Sequence, residues 1–179
     1  ATIITEDYEG KGEIYTDTAI INKLDCAIIP PLLTNQPYDI SGNIKLCNQD
    51  YNINGYLNIA SSGTILDCNN AVLIDGQGED VVSKGLIYVE NKYNVGIKNC
   101  IIKDSYTGLE IKTSSTGPSA NQFISNNYAI KLKQGSTNNV FTYNTILQNQ
   151  YGVHSNSGSN NQNYFLNNNF INNAIHTVM

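Results

Sequence analysis

The chain contains no arginine and no tryptophan, and a single methionine. Charged residues make up 14% of its 179 positions, well below the usual quarter. Its basic side chains are ten lysines that form no cluster, and its formal net charge is -5. A nucleic-acid groove needs clustered basic charge to neutralise phosphates, so nucleic acid is not an expected partner. No apolar run approaches the roughly 20 residues of a membrane-spanning helix. The best stretch, "CAIIPPLL" from Cys26, is broken by Pro30 and Pro31. The absence of any C-x-x-C pair argues against a zinc ribbon and a thioredoxin-like redox centre.

What the chain does contain is amide and hydroxyl polarity. Asn, Ser, Thr and Gln supply what charge does not, and Asn, Ser and Thr compete with a helical backbone for its hydrogen bonds. With 40% hydrophobic residues, this composition favours stacked β-structure, in a chain of one-domain length that can bury a core. The first residue is Ala1, which fits either a mature chain that has lost a leader or a boundary within a longer one.

Internal repetition is the strongest signal. Four segments align: "NCIIKDSYTGLEI" from Asn99, "NQFISNNYAIKL" from Asn121, "NTILQNQYGVHS" from Asn144 and "NNFINNAIHT" from Asn168, a period of 22 to 24 residues. Two adjacent apolar columns run Ile101, Phe123, Ile146, Phe170 and Ile102, Ile124, Leu147, Ile171. A third, Leu109, Ile130, Val153, Ile175, follows a small residue at Gly108, Ala129, Gly152 and Ala174. Asn99, Asn121, Asn144 and Asn168 form one polar column. Asp104, Asn126, Asn149 and Asn173 form a second, and Tyr106, Tyr128 and Tyr151 an aromatic one.

A leucine-rich repeat of this length needs a helix or 3₁₀ turn in each unit and a leucine-dominated consensus, and neither is present. Short β-branched and aromatic runs between Asn, Gly, Ser and Asp read as several strands per repeat. If each repeat is one coil of a parallel β-solenoid, equivalent residues stack about 4.8 Å apart and every column becomes a ladder. An asparagine at a corner tolerates left-handed backbone, and its amide can bond to the amides above and below. The asparagine columns are therefore read as structural. The tyrosines are read first as a stacked ladder, with contact to sugar or protein as the alternative.

The stretches "SSGTILDCNNAVLIDGQG" from Ser61 and "NVGIKNCIIKDSYTGLEI" from Asn94, with the N-x-F-x-x-N units at Asn139 and Asn163, resemble right-handed parallel β-helix repeat proteins. The likeness is to pectate-lyase-like repeats of carbohydrate-binding and surface proteins of archaea and bacteria, and to the nitrous-oxide-reductase maturation β-helix family. The expected fold is an all-β, right-handed, single-stranded parallel β-helix over residues 51–179. Residues 1–50 are expected to form an N-terminal cap and irregular first coils that protect one end of the stack.

The cysteines are Cys26, Cys47, Cys68 and Cys100, the first three each 21 residues apart. Stacked coils bring cysteines on neighbouring turns within disulfide reach. Three connectivities are open. The preferred one joins Cys47 to Cys68 and leaves Cys26 and Cys100; buried reduced thiols are the alternative.

Resemblance to pectate lyases implies a calcium-holding carboxylate cluster and a basic residue, usually arginine, to abstract a proton. The chain has no arginine, and a desolvated lysine is the available substitute. Resemblance to polygalacturonases implies aspartates on adjacent strands and a Gly-His-Gly-like element, of which "YGVHS" at Tyr151 is a poor echo. Glycoside hydrolysis needs two carboxylates roughly 5 to 10 Å apart, and beyond Asp80 the repeats hold few acids apart from Asp104 and Glu110. No catalytic residue is assigned. The acidic segment "LIDGQGEDVV" holds weak calcium candidates, Asp75, Glu79 and Asp80, and a solvated turn is the favoured reading. His154 and His176, each two residues after its small residue, are expected to stack on adjacent coils; two imidazoles without a nearby Cys or carboxylate in the pattern leave a transition-metal site the disfavoured reading, and no metal is assigned. No cofactor is expected.

The closing "AIHTVM" enters a new coil without a cap, as in a fragment or a chain whose end another subunit covers. The functional expectation is an extracellular structural protein. It would be a β-solenoid subunit of a cell-surface layer, sheath or filament, self-associating through coil ends. A carbohydrate-binding or adhesive module is the alternative, with glycans as partners, and a polysaccharide lyase or hydrolase follows.

Overall fold

The computed structural model describes residues 25–76, 84–156 and 160–178. Within them, runs of Ile, Val, Leu, Phe, Tyr and Thr form short strands, and Asn, Gly and Ser interrupt them. The chain lays the strands down in threes. The first coils give β1 (Pro37–Ile40), β2 (Ile44–Lys45), β3 (Asp50–Ile53), β4 (Tyr56–Ile59), β5 (Ile65–Asp67) and β6 (Val72–Asp75). The middle coils give β7 (Ile87–Glu90), β8 (Val95–Lys98), β9 (Ile101–Lys103), β10 (Thr107–Lys112), β11 (Thr116–Ser119) and β12 (Gln122–Ile124). The last give β13 (Tyr128–Lys133), β14 (Val140–Thr142), β15 (Thr145–Leu147), β16 (Tyr151–Ser155), β17 (Tyr164–Leu166), β18 (Asn169–Ile171) and β19 (Ile175–Val178).

Every third strand pairs in parallel. The first sheet runs β1-β4-β7-β10-β13-β16-β19, the second β2-β5-β8-β11-β14-β17 and the third β3-β6-β9-β12-β15-β18. The chain is a parallel β-solenoid of about six turns, without a helix among the described residues. Before residue 51, β1 and β2 already belong to these sheets and Ala27 bridges Leu46; of the cap and irregular first coils expected over residues 1–50, residues 1–24 lie outside the described residues.

Alternation along each strand sends one set of side chains inward. Leu57, Ile87, Leu109, Ile130 and Val153 line the first sheet's inner face, and Leu73, Ile102, Phe123, Ile146 and Phe170 the third's. In the second sheet Phe141 and Phe165 stack at 4.5 Å between ring centroids. Each fully buried side chain of this size contributes about 1.5–3 kcal/mol. One continuous column of hydrocarbon therefore holds the coils together.

The register differs from the sequence alignment in its first repeat and in its last. Phe123 stands over Ile102 rather than Ile101, and Ile124 over Lys103 rather than Ile102. At the other end Val153 pairs with Thr177 rather than Ile175. The cause is a variable coil length. The step from Ser105 to Asn126 is 21 residues, that from Asn126 to Asn149 is 23, and that from Asn149 to Asn173 is 24.

The disulfides are Cys26–Cys47 and Cys68–Cys100, each with Cα atoms 4.8 Å apart. This corrects the preferred Cys47–Cys68 pairing. Cys47, Cys68 and Cys100 occupy the turn between the second and third sheets on successive coils. A bond between the central two would have left Cys26 and Cys100 on coils too distant to join.

Candidate functional site

The asparagines come first, because they set the rigidity of everything outside them. At the turn between the second and third sheets, Asn144 Oδ1 accepts from the Asn121 backbone N–H and side-chain amide, both at 3.0 Å. Its own Nδ2 donates to the Pro118 carbonyl at 3.0 Å and to Asn168 Oδ1 at 2.9 Å. One side chain thus ties three coils and uses both its donors and its acceptor. At the turn between the third and first sheets, Asn126, Asn149 and Asn173 repeat the arrangement. A further ladder, Asn139 over Asn163, enters the second sheet. The N-x-F-x-x-N spacing carried that signal, since its two asparagines occupy successive corners of one coil.

Asn99 and Asp104 do not stand in these columns. Cys100 N–H donates to Asn121 Oδ1 at 3.0 Å, and Ser105 donates to Asn126 Oδ1 through N–H at 3.1 Å and its hydroxyl at 2.6 Å. Asn99 and Asp104 sit one residue earlier, in left-handed backbone with φ of 55° and 56°. The residue before each ladder asparagine takes that conformation, as Ala120, Ser125, Tyr143 and Gln148 show. The left-handed backbone and the amide ladder therefore belong to neighbouring positions. An Asp in the ladder would face the next Oδ1 with no hydrogen to donate, which explains why Asp104 falls outside it.

The outer face of the first sheet carries the chemistry. Glu110, Lys131 and His154 are register partners on β10, β13 and β16, so they form one outward column. Glu110 is buried and pairs with Lys133 at 2.8 Å. Beside it Lys112 meets Glu90 at 2.6 Å, and the Tyr88 hydroxyl donates to Glu90 at 2.7 Å. The bond from Lys112, then that from Tyr88, holds the Glu90 carboxyl below the usual carboxylate range. Burial, then Glu90, pushes the Tyr88 phenol up. Both glutamates of this cluster are thus engaged by lysine and are not disposed as a free acid and base.

Lys131 has no carboxylate within ion-pair distance among the described residues. Its ammonium lies 4.5 Å from the Tyr128 ring centroid and 6.0 Å from that of Tyr106, a cation–π arrangement. Burial, then Lys133, lowers its pKa. Tyr128 and Tyr151 stack at 4.8 Å, while Tyr106 meets Tyr128 edge-on at 5.6 Å. The edge-on contact follows from register, since Thr107, not Tyr106, is the partner of Tyr128. His154 packs against Tyr128 and Tyr151 at 5.1 and 5.7 Å. Its Nδ1 is buried without a partner among the described residues. Burial, then Lys131, lowers its pKa and favours the neutral ring.

Next to the stacked tyrosines lies a shallow groove of about 460 Å³ lined by Ser125, Asn126, Asn127, Tyr128, Gln150 and Tyr151. A second, of about 300 Å³, lies among Lys112, Lys133, Gln134 and Asn156 at the other end of the same strands. Neighbouring rings and Lys131 already engage Tyr128, so a sugar cannot use that ring as an open platform. Hydroxyl and amide groups are what the first groove offers.

The two histidines do not converge. His154 pairs with Lys131 and Val178, whereas His176 lies against Gly152 and the Phe170 ring. The 24-residue last step separates the two imidazoles that the alignment had stacked. Asp75 ends β6 in the third sheet, and Glu79 and Asp80 lie outside the described residues. No group of three metal-ligating side chains gathers among the described residues.

Comparison of the chain with family models, with curated proteins and with solved structures finds no match in any of the three. The class is therefore defined by the structure itself: an asparagine-laddered, disulfide-bonded parallel β-solenoid.

Proposed function

We propose that this chain is an extracellular or cell-surface β-solenoid that binds glycans along the corner between its third and first sheets. The groove beside Tyr128 and Tyr151 carries the reading. Ser125, Asn127 and Gln150 present amides and a hydroxyl there, and the asparagine ladder beneath them fixes the corner from which they project. Rigid polar groups bind sugar hydroxyls with little loss of conformational entropy. Two disulfides suit an oxidising compartment.

A glycan-array screen followed by calorimetry tests this. Binding should weaken roughly tenfold or more in Gln150→Ala and in Tyr151→Ala with the fold retained. Failure to bind any glycan in the screen overturns the reading.

The alternative, a structural subunit of a layer, sheath or filament, rests on the fold rather than on a site. Parallel coils with a regular register can continue from one copy to the next, and such contacts do not close. Electron microscopy over a concentration series separates the two: regular filaments support the structural role, and discrete particles at all concentrations count against it.

A further inference from the structure

The second groove, at the corner between the first and second sheets, has no part in the reading above. It measures about 300 Å³ and is lined by Lys112, Lys133, Gln134 and Asn156. Lys112 and Lys133 are register partners at the ends of β10 and β13, so their stems leave the sheet about 4.8 Å apart. Lys112 is paired with Glu90 at 2.6 Å, and Lys133 with the buried Glu110 at 2.8 Å. An ammonium carries three donors. One bond to a glutamate orients each lysine without exhausting them.

The two amides project from backbone that is tied to neighbouring coils. The Gln134 carbonyl accepts from the Thr113 N–H at 3.0 Å and from its hydroxyl at 2.8 Å, and the Asn156 N–H donates to the Leu132 carbonyl at 3.2 Å. Charge then selects the ligand. Three lysines, Lys112, Lys131 and Lys133, stand beside two glutamates, Glu90 and Glu110. This is a local excess of positive charge in a chain whose net charge is -5. A planar carboxylate is matched best by the fork of an arginine, and the chain has none. Ammonium groups act as point charges with donors in several directions, which suits a tetrahedral oxyanion.

We infer that this groove binds a sulfate or phosphate monoester carried on a sugar. Lys112 and Lys133 hold terminal oxygens of the ester, and the amides of Gln134 and Asn156 donate to its remaining oxygen and to the sugar hydroxyls. The groove is larger than the oxyanion alone and admits the ring that bears it. The sugar carrier rests on the glycan reading above; the oxyanion rests on the lysines alone.

Amide-resolved NMR titration of the oxidised chain tests this, with galactose sulfate, galactose phosphate, galacturonate and galactose as probes. Low salt is used because screening weakens exposed charge pairs. At least one ester should shift the Gln134 and Asn156 side-chain amides saturably, and the tighter of the two identifies the source of the oxyanion. Galacturonate carries the charge of the sulfate ester on a planar group and should bind more weakly; galactose should leave these amides unmoved. Lys112→Gln should weaken ester binding roughly tenfold. Asn156→Ala, at an exposed position that keeps both ion pairs, should act in the same direction. The inference is overturned by the absence of saturable shifts with both esters, by galacturonate binding as tightly as the sulfate ester, or by binding that neither substitution weakens. Neutral glycans that bind at Gln150 while no ester binds here would sink this inference and leave the glycan reading standing. Ester binding here with no glycan at Gln150 would do the reverse.

Discussion

Cys100 divides the solenoid into two regions that solve one problem with different chemistry. In the turn between the second and third sheets, successive coils carry Cys47, Cys68 and Cys100, then Asn121, Asn144 and Asn168. Upstream, covalent bonds join the coils in pairs. Downstream, each asparagine joins the coil before it to the coil after it. The two systems meet where Cys100, disulfide-bonded to Cys68, also donates its N–H to Asn121. A disulfide stabilises mainly by restricting the unfolded chain, whereas a buried ladder acts by leaving no polar group unpaired. The upstream coils are therefore sensitive to redox state, and the downstream coils to any single substitution within a ladder.

That contrast can be broken at its strongest point first. Replacing Cys68 and Cys100 together by serine opens a 32-residue link and should cost about 4 kcal/mol on the chain-entropy relation. Chemical denaturation should show the loss, with the upstream coils melting first by hydrogen exchange. Asn144→Ala comes next. It leaves the Asn121 N–H and the Pro118 carbonyl unpaired and buried, at a cost of about 3 kcal/mol, and it should be equally severe under oxidising and reducing conditions.

Asn99→Ala sharpens the comparison because the residue type is the same and the position differs by one. Asn99 makes a 3.0 Å side-chain bond to Asp67 and holds left-handed backbone, so the loss should be about 1 kcal/mol. A loss at Asn99 matching that at Asn144 would restore it to the ladder.

The smallest expected effect is pH dependence at His154. Its folded pKa lies below the ordinary 6.5, so the unfolded chain takes up the proton first and stability is lost as pH falls from about 7 through the folded pKa. His154→Gln should remove that part of the decline when unfolding is compared at pH 7 and pH 5.

Much of this architecture was legible in the chain. Phe123, Ile146 and Phe170, with Asn121, Asn144 and Asn168, sit in the columns that the repeat assigned them. Local chemistry explains why: β-branched and aromatic runs form strands, and an asparagine with an apolar residue two places on, most often aromatic, marks a corner. The first repeat was misplaced because Asn99 attracts alignment to Asn121, whereas Cys100 and Ser105 fill the ladder positions. The face around Lys131 and His154 was less visible still, since its neighbours lie a whole coil away in sequence.

The sequence alone determined a parallel β-solenoid with asparagine corners, because strand, turn and period are written within each repeat. Only the tertiary structure decided the 21-residue step, the Cys26–Cys47 and Cys68–Cys100 pairing, and the separation of His154 from His176. The physical reason is that register between coils is set by the joint packing of all three sheets. One residue more or less in a turn alters local preference little, yet it moves every contact on the next strand.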